Sequence, residues 1–119
     1  MDTYVQNQFI AAYEEAMRFS NPEIGDAPLA GRTAAAMKRE CKAFLAEAAT
    51  NPSAYSAITA SPGHAGHDFW FTRNHHGVGF WEWEMEGRTD KATAEWLTEL
   101  AHTYNELTPF VNRGKVELE

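Results

Sequence analysis

The chain has 119 residues, the size of one domain and enough to bury a core without disulfide or metal staples. Hydrophobic residues at 44% and aromatic residues at 13% exclude a disordered segment, the single cysteine excludes an internal disulfide, and no apolar stretch approaches the length of a membrane span. A formal charge of -7, from 17 acidic and 10 basic side chains, argues against direct duplex DNA binding, which depends on clustered Lys and Arg, and favours basic partners.

From Thr3 to Phe19, residues Val5, Phe9, Ala12, Tyr13, Ala16 and Met17 recur at helical spacing, with Asp2 or Thr3 as the cap and Ser20-Asn21-Pro22 as the stop. A connector punctuated by Gly and Pro, "NPEIGDAPLAG", follows. A second helix is expected from about Arg32 to Ala49, its apolar stripe made of Met37, Cys41, Phe44, Leu45 and Ala48. Cys41 lies inside that stripe and reads as a small buried hydrophobe, since no histidine stands at helical spacing to activate it. The lone thiol, with no signal-like apolar run after Met1, points to the reducing cytoplasm.

"PSAYSAITASPGHAG" has room for a helical turn or two, with Ser61-Pro62 as a further helix start and Gly66 as the release. The next stretch, "GHDFWFTRNHHGVGFWE", reads as a β-hairpin within residues 66–85. Phe69–Thr72 and Val78–Trp83 are rich in strand formers, and Asn74 and Gly77 supply turn chemistry between them. With Arg73 facing Val78, Phe71 lies opposite Phe80 and Trp70 opposite Trp81, so both faces are aromatic. A third helix is expected from Thr89 or Asp90 to about Leu107, and "PFVNRGKVELE" as a second hairpin turning at Asn112-Arg113-Gly114. The sum is a single α+β domain over residues 1–119, with three main helices packed on a small antiparallel sheet built from two hairpins.

The run from Gly66 to Trp81 resembles a family of small phage and prophage proteins that share the pattern G-H-D-F-W, an aliphatic residue, T-R-N, one variable residue, then H-G-A-G-F-W-D. Gly66, His67, Asp68, Phe69, Trp70, Thr72, Arg73, Asn74, His76, Gly77, Gly79, Phe80 and Trp81 match it. Phe71, His75, Val78 and Glu82 stand at positions where this chain departs from the pattern or where the pattern varies. The resemblance covers roughly Ala36 to Leu118 and leaves residues 1–30 outside. It implies a phage origin and the cytoplasm of a host, and supplies no reaction.

Chemistry must therefore come from the residues. His64, His67, Asp68, His75, His76 and Glu82 are the ligand types of a divalent ion, but a strand separates His67 from the histidines at the turn. His67 and Asp68, adjacent in a strand, point to opposite faces and cannot act as a pair. No metal, no cofactor and no catalytic residue is expected on that reading. In the structural reading Asn74 and Gly77 make the turn, Thr72 and Asn74 tie backbone groups, Arg73 pairs with Asp68 or Glu82, and Gly79 admits a tryptophan ring.

The expected contact surface is the hairpin tip and aromatic face, Arg73, Asn74, His75, His76, Trp70, Trp81 and Trp83, bordered by an acidic patch of Glu82, Glu84 and Glu86. The expected function is a non-enzymatic accessory protein that binds a host protein or complex, one that handles nucleic acid, as an anti-CRISPR or anti-restriction inhibitor would. The alternatives are a metal-binding or hydrolytic protein built on the histidines, and a single-strand nucleic-acid binder that stacks bases on the tryptophans. Oligomeric state is left open.

Overall fold

A computed structural model describes all 119 residues. Helix α1, Thr3–Ser20, begins as the sequence dictates, with Asp2 accepting the Val5 amide at 2.9 Å, and buries the expected stripe from Val5 to Met17. It ends where Ser20 Oγ and Asn21 Nδ2 donate to the carbonyls of Ala16 and Met17. Helix α2, Gly31–Ala48, places Met37, Cys41, Phe44, Leu45 and Ala48 inward, also as expected. Helix α3, Pro52–Ala60, is a full element capped by Asn51 rather than a turn or two.

The expected hairpin within 66–85 does not form. In its place stand helix α4, Pro62–Arg73, a turn, and a short 3-10 turn at Phe80–Glu82. Pro62 opens α4 at its first position, and the helix runs on through Gly66, which is needed for contact rather than for release. A Cβ on Gly66 would lie 2.1 Å from the Phe9 carbonyl oxygen, so the glycine lets α4 press directly on α1. Strand propensity in Phe69-Trp70-Phe71-Thr72 loses to this burial, because α4 is enclosed on several sides and gains more from packing than β-rich residues lose in a helix.

The turn chemistry after Arg73 is real, but it ends a helix. The amide of His76 donates to Phe71 O at 2.9 Å and that of His75 to Thr72 O at 3.1 Å, the two bonds of a Schellman cap. His75 takes the left-handed position at φ 55, where Asn74 and Gly77 had been the expected turn formers. Helix α5, Lys91–His102, starts at its expected cap, Asp90, and stops about one turn sooner than its apolar pattern reaches.

The terminal hairpin is present. Strands β1, Pro109–Asn112, and β2, Lys115–Leu118, pair antiparallel with Val111 opposite Val116, around Arg113 and Gly114 at φ 53 and 78. It is the only hairpin, and it docks through buried Val116, which exchanges backbone bonds with Pro28 and Ala30. The domain is thus α+β, with five helices and one two-stranded sheet in place of three helices on two hairpins. Its centre is a stack of rings from four elements, Phe9, Phe44, Phe69 and Phe80, with the Phe44 and Phe69 centroids 4.2 Å apart.

Candidate functional site

The first consequence of a helical motif is that Arg73 is not at an exposed tip. Its side chain is 1% exposed and points into the core. Nε and Nη2 donate to Asn105 O at 2.9 and 2.6 Å, while Nη1 donates to Glu40 Oε1 at 2.9 Å and to Tyr13 Oη at 3.2 Å. The guanidinium also lies over the rings of Phe69 and Tyr104. Its ion-pair partner is Glu40, not Asp68 or Glu82, and it ties α4 to α1, α2 and the segment after α5. Burial pushes the Tyr13 hydroxyl and the Cys41 thiol far above their ordinary ranges, so neither is a nucleophile near neutral pH.

The aromatic face expected at the hairpin is divided as well. Trp70 and Trp83 are buried: the Trp70 indole donates to Ser20 Oγ at 2.9 Å and the Trp83 indole to Asp68 Oδ2 at 2.6 Å. Trp81 alone keeps a large exposed part, 39%, with its ring lying over Gly79, where a Cβ would come within 2.3 Å of it. A glycine does accept a tryptophan ring, then, although no strand is involved. Asn74 ties backbone groups as expected, accepting the Leu107 amide at 2.8 Å and donating to Trp70 O.

The segment that follows α4 is irregular yet pinned. The Phe80 amide donates to Thr72 Oγ1 at 3.1 Å, the Gly79 amide to Glu82 Oε1 at 3.2 Å, and the Arg88 amide to Trp83 O at 2.9 Å. Glu82 is therefore a cap turned toward its own backbone, and of the acidic patch only Glu84 faces solvent without a partner, Glu86 being exposed but paired with Arg88. Between these anchors Val78, Trp81 and Met85 project outward, Met85 at 88% exposure.

Two histidine arrangements flank this segment. His64 and Asp68 stand one helical turn apart on α4, and Glu86 reaches the same point from the segment after Trp83. His64 Nε2 lies 3.4 Å from Asp68 Oδ2 and 3.5 Å from Glu86 Oε1. Arg88 closes the cluster, donating from Nη2 to His64 Nδ1 at 3.2 Å, from Nε to Glu86 Oε1 at 2.9 Å and from Nη1 to Ser61 Oγ at 3.1 Å. Burial raises the Asp68 carboxyl above the usual range, against the opposing pull of the Trp83 hydrogen bond and of His64. Across α4, His67 donates to Glu15 at 2.8 Å beside a groove of about 250 Å³ formed with Ala16, Phe19 and Phe71. At the cap, exposed His75 stacks on His102 at 4.4 Å and His76 meets the edge of Phe71.

Of the six candidate ligands read from the sequence, His64 and Asp68 converge, while His67, His75, His76 and Glu82 go to separate places. The strand reading sets His67 apart from Asp68 and from the turn histidines but says nothing of His64 with Asp68, a pair the helix brings together because residues four apart are neighbours on its surface. The H-x-x-x-D spacing after Ser61-Pro62 was the available signal. Nothing in the sequence announced Glu40, Tyr13 and Asn105 as the receptors of Arg73. Comparison with protein-family models, curated proteins and solved structures finds no match to this chain.

Proposed function

We propose that the protein is a non-enzymatic accessory factor that binds a basic surface of a host macromolecule through residues 78–86. The observation behind this reading is the rigid presentation of Val78, Trp81 and Met85 beside Glu84 and Glu86 on a segment held at both ends by side-chain and backbone bonds. A fixed, half-exposed tryptophan loses little freedom on association, and such rings with apolar neighbours are the usual centres of binding energy. The adjoining carboxylates select a basic partner and speed its approach. Obstruction of a defence complex that handles nucleic acid is the specific role favoured by the resemblance of the motif to phage proteins. Stacking of single-stranded bases would have to rely on Trp81 alone among the three motif tryptophans, since Trp70 and Trp83 are enclosed.

Immobilised wild-type protein, Trp81→Ala, Met85→Ala and Glu84→Lys, exposed to host lysate at several salt concentrations, test the proposal. One basic complex is expected to be held by the wild type, to be lost with Trp81→Ala and Met85→Ala, and to associate more slowly with Glu84→Lys. Retention should fall with salt, because a shorter Debye length screens exposed charges. A partner held equally by all four proteins overturns the assignment.

A further inference from the structure

We propose that His64, Asp68 and Glu86 form a site for a tetrahedral divalent ion of the zinc class, which displaces Arg88 when it binds. The three donor atoms all lie within 4.8 Å of one another. The two edges that meet at His64 Nε2, 3.4 and 3.5 Å, are too long for good N–H···O hydrogen bonds, so this nitrogen stands between two carboxylates without bonding to either. They match the separation of two ligands on a tetrahedral ion, about 3.4 Å for bonds of about 2.05 Å. An octahedral ion such as magnesium would bring neighbouring ligands to about 3.0 Å. One imidazole nitrogen with two carboxylate oxygens suits zinc better than the all-oxygen ions.

The supporting groups are also in place. The Trp83 indole donates to Oδ2 of Asp68, the same oxygen that faces His64, and so fixes the position of the ligating atom itself. His64 and Glu86 remain about a third exposed, which leaves an entry path and room for Glu86 to close the third edge. A water would complete the tetrahedron.

Arg88 is the internal competitor. A guanidinium only donates, so its contact with His64 Nδ1 places the proton of the neutral ring on Nε2, facing the carboxylates. Ligation through Nε2 needs the opposite tautomer, with the proton on Nδ1, and Arg88 must then leave both His64 and Glu86. The side chain is partly exposed and can swing to water. Removing Arg88 should therefore strengthen metal binding, the reverse of what loss of a purely structural ion pair would do.

The test titrates untagged, chelator-treated protein with zinc chloride by calorimetry and with cobalt chloride by visible absorption. One equivalent is expected, with the intense bands of tetrahedral cobalt. His64→Ala and Glu86→Ala, both chosen because their side chains are not buried, should weaken binding by about tenfold or more. Arg88→Met should tighten it by about fivefold, the worth of one exposed ion pair. His75→Ala and His102→Ala should leave it unchanged. Absence of binding, weak octahedral bands, indifference to His64→Ala and Glu86→Ala, or weakening by Arg88→Met would each overturn the proposal. So would loss of binding with His75→Ala, which would place the ion on the His75–His102 pair. Circular dichroism of each variant confirms that the helices persist.

Discussion

Replacing Arg73 by alanine separates the two ways of reading the motif, because an exposed arginine costs almost nothing to remove and a buried one a great deal. The substitution deletes four hydrogen bonds at once and leaves the Tyr13 hydroxyl without its donor in the interior, while Asn105 O, on an exposed residue, loses two. Breaking a buried ion pair from one side costs about 3 to 5 kcal/mol. The lower end applies, since the Glu40 side chain is 32% exposed and can rehydrate. About 3 kcal/mol in a domain of 119 residues lowers Tm by about 10 to 15 °C. Arg73→Lys keeps the charge but loses the fork, so it should fall between wild type and alanine. The pair Arg73→Met with Glu40→Gln should recover part of the loss, because no unpaired charge remains. Urea titration and thermal melts followed by circular dichroism measure all four. An Arg73→Ala melt within about 2 °C of wild type would show that the guanidinium is not enclosed as described.

Other outcomes follow from the same packing. Trp70→Ala should cost about 3 to 5 kcal/mol and Trp81→Ala less than about 1.5 kcal/mol, a split that paired melts would reveal and that equal losses would refute. Gly66→Ala, whose new methyl would meet the Phe9 carbonyl, should destabilise by about 3 kcal/mol, whereas Gly63→Ala, with open space around it, should gain up to about 1 kcal/mol in helix propensity. His75→Gly should stabilise by about 0.5 to 1 kcal/mol by relieving a left-handed non-glycine residue, and a lowered urea midpoint would contradict the cap. Alkaline pH should weaken the fold. The folded chain keeps the protons of Cys41 and Tyr13 above their ordinary 9.0 and 10.0, so it binds more protons than the unfolded chain there. Stability present below those values then falls as pH rises, by about 1.4 kcal/mol per pH unit for each group, and a urea midpoint flat to about pH 11 would refute it.

Legibility in the sequence followed the exposure of each element. Helices α1, α2 and α5 each bury one face, so their apolar residues repeat at helical spacing; Asp2 and Asp90 cap α1 and α5 locally, whereas α2 starts without a side-chain cap and α5 stops before its apolar pattern does. The terminal hairpin is legible for the same reason, its turn needing residues that tolerate positive φ. Helix α4 is enclosed, with Ala65, Gly66, Asp68, Phe69, Trp70, Thr72 and Arg73 all buried, so no stripe shows and its β-branched and aromatic residues mimic a strand. Its C-terminal cap uses the same turn chemistry that closes a hairpin. A local signal could not choose between them; the decision was made by α1, through contacts fifty or more residues away in sequence, such as Trp70 to Ser20 and Gly66 to Phe9.

That choice of secondary structure also decides which residues are free to act. In a strand, the expected register would have put Trp70, Trp81 and Trp83 on one shared face and set His67 a strand's length from the histidines at the turn. In the helix, Gly66, Phe69, Trp70, Thr72, Arg73 and Asn74 are committed to holding α4 against its neighbours and shaping the turn beyond it. Substituting them changes stability first, so any loss of binding they cause is secondary. Val78, Trp81, Glu84 and Met85 face water with little structural duty. Variants at those four positions that keep the wild-type melting temperature therefore report on recognition itself, and they are the positions at which a partner surface can be mapped without unfolding the domain that presents it.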